Sequence, residues 1–358
     1  MINVTKTYLP SLEKYQDYVR QIFESGWLTN NGRFTQALEA RLAEYLEVPY
    51  VVLVSNGTLA LQIAYRLLDI KNEAITTPFT FVATSSSMVW EGIEPLFADI
   101  EPNTFNVNPS KVKELVSKNT SAIVAVHVFG NPCDHESLNQ ISKEKSIPII
   151  YDAAHAFGVT YKGESIAKLG DISTFSFHAT KIFHTIEGGA IVVKDKLTYD
   201  KAKLLINFGI PGYDQIAELG INAKMNEFQA AMGLCILDSL DLIIESRKKV
   251  FERYLNELLP LTSLTLQRFN PEATNNYAYF PVVFQNEEIL LKIKEVLNGI
   301  EIFPRRYFYP SLEGLNYVKP QSAPISESIS KRVLCLPLFG ELEWKEQKRI
   351  VEVIKANT

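Results

Sequence analysis

Cysteine is scarce in this sequence. Cys133, Cys235 and Cys335 are its only three, odd in number and far apart. That excludes a disulfide scaffold and fits a reducing compartment, so we expect a cytoplasmic protein. No stretch approaches the roughly 18–20 apolar residues of a membrane span, and the opening MINVTKTYLPSLEKYQ has no apolar leader core. Basic residues are not in excess either. Lys and Arg number 36 against 41 Asp and Glu, a net charge of −5, which leaves no electrostatic footprint for nucleic acid. The sequence has no G-x-G-x-x-G opening a helix, no G-x-x-x-x-G-K-[ST] and no H-E-x-x-H. Cys133 and His135 form one C-x-H pair with His127 nearby, but a second ligand pair at zinc spacing is missing. No metal site is expected.

What is present is ample material for a core. The chain has 358 residues, 46% hydrophobic and 22% charged, which excludes a disordered chain and suggests two domains. Short apolar runs at 51–54, 122–129, 147–152, 173–177 and 190–193 read as buried strands. Helical stretches at 57–68 and 110–117 lie between some of them, and 11–25 reads as a helix with Leu12, Tyr15, Val19 and Ile22 on one face, stopped by Gly26. This alternation predicts an α/β fold around a mostly parallel sheet, with ligands outside the carboxyl ends of the strands. From about residue 237 the pattern changes to a long charged helix (238–259), a strand (277–284), a helix (287–299) and a terminal helix (344–356). We expect a large α/β domain over 1–236, including the N-terminal helix, and a smaller α+β domain over 237–358.

Three places carry chemistry. SNGT (55–58) follows a strand and opens a helix, so Gly57 permits close backbone approach and Thr58 offers an amide and a hydroxyl to a phosphate. Taken alone, it reads first as an ordinary N-cap. Asp152 ends the run IPIIYD, where a carboxylate caps a turn or faces a ligand such as a protonated pyridine nitrogen. His155 follows three residues later. The most specific stretch is 170–193. Between Asp171 and Glu187 the only formally charged side chain is Lys181, set among Phe177, Ile182 and Phe183. Burial there would lower its pKa, as a Schiff-base lysine requires. Ser176 offers a further hydroxyl for a phosphate. A phosphate cradle, a carboxylate and an isolated lysine, in that order, suit pyridoxal 5′-phosphate.

At this point the sequence resembles the DegT/DnrJ-type nucleotide-sugar aminotransferases. The resemblance runs over GWLTNNGRFTQALEARLAEYL (26–46), SNGTLAL (55–61), TPFTFVAT (77–84), VHVFGNPCD (126–134), DAAHAFG (152–158), FSFHATK (175–181), EGGAIV (187–192) and GINAKMNEFQAAMG (220–233). It implies an aspartate-aminotransferase-like (type I) pyridoxal-phosphate fold. By position, Lys181 resembles the lysine that binds the cofactor covalently and then moves protons, and Asp152 the partner of the pyridine nitrogen. Phe81 matches the aromatic residue stacked on the ring, and His155 the group beside it. Gly57, Thr58 and Ser176 match the phosphate ligands. Asn222 matches an asparagine reaching the neighbouring subunit's cofactor, which implies a homodimer with shared sites. Just after it, Met225, Phe228 and Met232 recur at helical spacing beside small residues, a face suited to close packing against a partner or, more plainly, inside its own subunit. Lys224 stands where Arg is frequent.

The resemblance further implies transfer of an amino group from L-glutamate to a keto group on a nucleotide-linked sugar, in deoxyaminosugar biosynthesis such as that of O-antigen or lipopolysaccharide. The N-terminal segment, the WLTNNGRF loop with Thr29, and PRRYFYPSL (304–312) are most similar to the VioA-type branch. That branch aminates dTDP-4-keto-6-deoxyglucose at C-4, giving dTDP-4-amino-4,6-dideoxyglucose; the alternative is C-3 amination of a dTDP-3-keto-6-deoxyhexose. Arg305, Arg306, Tyr307 and Tyr309 are the expected contacts for the acidic diphosphate and the sugar, since guanidinium groups bind phosphate in a bidentate fashion; a surface arginine pair is the plainer alternative. A related sugar dehydratase carries histidine in place of the lysine, so Lys181 argues against that reaction. A non-catalytic regulator on this fold would have no use for Lys181 together with Asp152, Ser176 and Thr58.

Overall fold

Val51 and Leu53 point into one apolar cluster, Val52 and Val54 into another on the opposite face. An uninterrupted apolar run becomes a strand where helices cover both faces of a sheet. A computed structural model describes every residue, 1–358, and has this arrangement through the first two-thirds of the chain.

The chain opens with β1 (Ile2–Asn3) and α1 (Leu12–Ser25), which ends at Gly26 in the left-handed conformation. Then come α2 (Arg33–Tyr45), β2 (Tyr50–Val54), α3 (Gly57–Leu67), β3 (Glu73–Thr76), α4 (Ala83–Trp90) and β4 (Glu94–Phe97). They are followed by α5 (Pro109–Leu115), β5 (Thr120–Val126), α6 (His135–Lys145) and β6 (Ile149–Asp152). A hairpin of β7 (Thr160–Tyr161) and β8 (Glu164–Ser165) precedes β9 (Ile172–Ser176), β10 (Gly189–Val193), α7 (Lys196–Leu205) and α8 (Glu227–Leu237).

Seven strands form one sheet in the order β2-β10-β9-β6-β5-β3-β4. All run parallel except β10, which is antiparallel to both neighbours. Gly189 at the start of β10 pairs with Val54 on one side and Ser176 on the other. That register brings the SNGT turn and Ser176 to one end of the sheet, beside Asp152 at the end of β6. Glu227 at the start of α8 supplies what α2 lacks. The N-cap of α2 is Gly32, without a side-chain cap, and the buried Glu227 carboxylate accepts from Phe34 N at 2.8 Å, Thr35 N at 2.9 Å and Thr35 Oγ1 at 2.6 Å. A carboxylate there satisfies orphan amides and the helix dipole together.

The remainder comprises α9 (Leu240–Leu258), β11 (Thr265–Leu266), β12 (Pro281–Val283), α10 (Glu287–Gly299), β13 (Ile302–Phe303), α11 (Pro324–Arg332), β14 (Val333–Cys335) and α12 (Trp344–Asn357). Strands β11, β12 and β14 make an antiparallel sheet whose core includes Tyr254, Phe280, Ile293, Leu334 and Ile350. Strand β1 pairs with β13, and Ile2 joins that core, so the first residues pack with the C-terminal part.

Several expectations change. The run 122–129 stops being a strand at Val126, and Phe129 turns left-handed with φ 57°. The strand expected over 277–284 shrinks to Pro281–Val283, because Tyr277 (φ 56°) turns the chain and side chains bind the carbonyls before it can pair. Strands β3 and β4 were not anticipated; each is four residues long and begins with glutamate. On α1 only Ile22 is fully buried and Leu12 is exposed, outside the predicted face. Met225 and Met232, suggestive of a partner-facing surface by spacing, are buried in the core of the chain itself, with Phe228 against them.

Candidate active site

The carboxyl ends of β2, β5, β6 and β9 open onto a cavity of about 370 Å³. Gly57, Thr58, Phe81, Asp152, His155, Ser176 and Lys181 all line it, together with Arg305, Tyr307 and Phe308 from the C-terminal part. The turn after β2 is a capped helix start with amides left over. Asn56 caps α3 through a bond from Leu59 N at 2.9 Å, while the Gly57 and Thr58 amides have no acceptor within the helix. A Cβ on Gly57 would lie 2.8 Å from the Ser176 Cβ, so only glycine leaves the cradle open.

Asp152 is buried at the end of β6. Its Oδ2 accepts from Thr84 Oγ1 at 2.8 Å, Thr84 is 3.1 Å from Thr80 Oγ1, and its Oδ1 accepts from Ala154 N at 3.1 Å. Burial raises the carboxyl above its usual range, against these bonds and the Lys181 charge. A buried carboxylate in that state gains most from a cationic partner. His155 is also buried, and its Nδ1 accepts from Phe129 N at 3.3 Å, which leaves the proton on Nε2. Burial and then Lys181 hold its pKa well below the usual value, so the ring is neutral.

Lys181 Nζ lies 3.2 Å from the Tyr279 hydroxyl. Burial lowers its pKa to about 8, partly opposed by the Asp152 carboxylate. Its amine is therefore available as a nucleophile and proton acceptor near neutral pH. Phe81 is 56% exposed at the cavity wall, an aromatic face with room for a planar ligand. Amide cradle, uncovered aromatic face, buried carboxylate and desolvated lysine all fit pyridoxal phosphate.

Other residues are elsewhere. Arg305 lines the cavity over the Tyr307 ring, 5.1 Å from its centroid. Arg306 turns away: it binds Glu287 at 2.6 Å and the Lys331 carbonyl at 2.9 Å, and stacks on Tyr309. Arg306 and Tyr309 thus do not reach the cavity expected of them, because one terminal nitrogen of the guanidinium is engaged by Glu287 and the Lys331 carbonyl in the C-terminal part. Thr29 and Asn222 are exposed and do not line this cavity. His127 and His135 flank Tyr151, the first stacked at 4.5 Å and the second bonded to its hydroxyl at 2.8 Å. Sequence reasoning did not single out Thr84 or Tyr279. Thr84 lay inside the quoted TPFTFVAT motif, and Tyr279 was hidden in an apparent strand.

The DegT/DnrJ/EryC1/StrS aminotransferase family model matches residues 11–355. The chain belongs to this family. It is 39% identical over 360 residues to a dTDP-4-amino-4,6-dideoxy-D-glucose transaminase of Shigella dysenteriae, covering 99% of this chain and 98% of the relative. A transaminase of the same name from Escherichia coli is 36% identical, covering 99% and 97%. Among solved structures, DesI in the presence of its TDP-sugar product superposes with a TM-score of 0.94 at 31% identity, over 99% of this chain and 92% of that one. The fold is that of the type I pyridoxal-phosphate enzymes, and the chain is a pyridoxal-phosphate-dependent aminotransferase of this family.

Proposed function

We propose that the enzyme moves an amino group from L-glutamate to C-4 of dTDP-4-keto-6-deoxyglucose, giving dTDP-4-amino-4,6-dideoxyglucose. The observation that carries this substrate is the end-to-end identity with the two transaminases of that product. Bound pyridoxal phosphate supplies an electron-accepting ring that holds the amino group between donor and acceptor. Lys181, its buried amine at the cavity wall, would hold the cofactor and accept and return a proton at Nζ. Asp152, oriented by Thr84 and Ala154, keeps the ring nitrogen protonated. His155 would offer Nε2–H and Phe81 an aromatic face to the cofactor, and Gly57, Thr58 and Ser176 would hold its phosphate. Arg305 and Tyr307 face the sugar nucleotide.

The same reading makes the enzyme a homodimer. Asn222 and Thr29 serve the partner's site, in keeping with their exposure and their absence from the lining of their own cavity. Phe23, Trp27, Phe208, Ile216 and Leu219 are large exposed apolar side chains from the same two stretches of chain, a composition suited to subunit contact. No helix is long and apolar enough to cross a membrane, and all three cysteines are free and buried, in keeping with a cytoplasmic site for a step of O-antigen aminosugar synthesis. The test is incubation with L-glutamate and a panel of dTDP- and GDP-linked 3-keto and 4-keto 6-deoxysugars, followed by NMR of the product. Amination at C-3, or selection of the GDP sugar, would overturn the substrate assignment.

A further inference from the structure

Residues 276–279 form a strap between the two halves of the molecule. The Asn276 amide donates to the carbonyls of His155 at 2.9 Å and Phe157 at 3.0 Å, in the large part. Arg247, buried on α9, donates to the carbonyls of Tyr277 at 2.9 Å and Ala278 at 2.8 Å. The next residue, Phe280, is anchored in the C-terminal core. Tyr279 therefore enters the cavity from a backbone fixed on both sides. Its ring is packed by His155 at 4.9 Å, Phe129 at 5.2 Å and Tyr307 at 5.9 Å. Such packing leaves the hydroxyl little freedom.

We propose that Tyr279 is a positioning residue whose hydroxyl, 3.2 Å from Lys181 Nζ, holds the lysine amine at the cavity whenever that amine is not covalently engaged. A long, flexible lysine freed during turnover must otherwise find its reacting position again. The contact works in both protonation states: an ammonium donates to the phenolic oxygen, and a neutral amine accepts from the O–H. Burial raises the phenol's pKa, so the O–H is retained throughout the working range. The inference rests on Lys181 being the residue that captures the cofactor.

The test uses the apoenzyme and pyridoxal phosphate. In capture, Nζ adds to the cofactor aldehyde carbon and one water leaves, with a visible absorbance change that gives the rate. Borohydride reduction and peptide mass spectrometry then locate the modified residue. Tyr279→Phe keeps the ring and removes only the hydroxyl. We expect capture about 5- to 10-fold slower, the loss associated with one hydrogen bond of ordinary strength, at every pH including the plateau above the lysine's titration. Final absorbance and Tm should stay at their wild-type values. Equal plateau rates, or a change confined to the apparent pKa, would overturn the inference, as would a fall in Tm with loss of amplitude, which marks a packing role. Modification of a lysine other than 181 would instead overturn the reading beneath it.

Discussion

Gly57 and Ser176, 119 positions apart in the sequence, stand so close that a single added methyl group would bring them to 2.8 Å. The register of β10 creates this approach, because Gly189 pairs with the last residues of both β2 and β9. Gly57→Ala should fill the phosphate cradle while the helix remains. Overpacking of this kind costs about 1–3 kcal/mol, so pyridoxal phosphate should bind about 5- to 150-fold more weakly. Titration of the apoenzyme by absorbance reads this, and an unchanged Kd would place the phosphate elsewhere.

Lys181 carries the strongest prediction for pH. Its pKa is lowered to about 8, so the neutral, nucleophilic form is a minority at pH 7 and dominates at pH 9. The rate of cofactor capture should rise across that interval with a midpoint near 8. Lys181→Ala should bind the cofactor without covalent capture and lose at least the roughly 10²–10⁴-fold that general acid–base catalysis supplies. A capture rate independent of pH between 7 and 9 would contradict the assignment.

Asp152 differs from an ordinary strand-end cap in being buried with a raised pKa. The carboxylate disfavours its own charge until a cation arrives, so bound cofactor should stabilise the wild type strongly. In Asp152→Asn the amide can keep the Thr84 contact but cannot stabilise a ring cation. Loss of one partner of a buried ion pair costs about 3–5 kcal/mol. The rise in Tm on adding pyridoxal phosphate should therefore be much smaller in Asp152→Asn, with turnover reduced by at least about 100-fold. Equal Tm shifts in the two proteins would leave Asp152 only a cap.

Much of this site was legible because the α/β pattern fixes where ligands gather. Lys181 stood out by the absence of other formal charges from Asp171 to Glu187, and Asp152 by its place at the end of an apolar run. Arg306 misled because nothing local announces that Glu287, 19 residues earlier, engages it. Tyr279 was obscured for a related reason. YAYFPVVF alternates like a strand, but Arg247 and Asn276 hold its first half outside the sheet. Met225 and Met232 show the limit of periodicity, which marks an apolar face without saying which surface covers it.

Glu227 offers a stability prediction independent of catalysis. Glu227→Ala would strand the Phe34 and Thr35 amides at the buried start of α2. Unsatisfied buried donors cost about 1–3 kcal/mol each, so the variant should lose about 2–6 kcal/mol in denaturant unfolding. A loss under about 0.5 kcal/mol, the usual size of a neutral surface change, would mean that α2 finds another cap.

The shared-site reading of Asn222 predicts complementation between defective chains. In this subunit Asn222 is exposed, joined to Asn207 by an isolated bridge, and not among the residues lining the cavity that holds Lys181. A chain carrying Lys181→Ala retains a functional Asn222, and a chain carrying Asn222→Ala retains a functional Lys181. Mixed in equal amounts and allowed to exchange, half of the dimers should be hybrids. In each hybrid one site combines Lys181 with an intact Asn222 from the other chain, and the second site lacks both. Recovered activity should approach about one quarter of the wild-type value, given random pairing in a two-fold dimer. If Asn222 acted within its own subunit, every site in the mixture would lack one residue and no recovery would follow. Exchange verified by mass difference, with activity no higher than the average of the separate variants, would remove Asn222 from the partner's site.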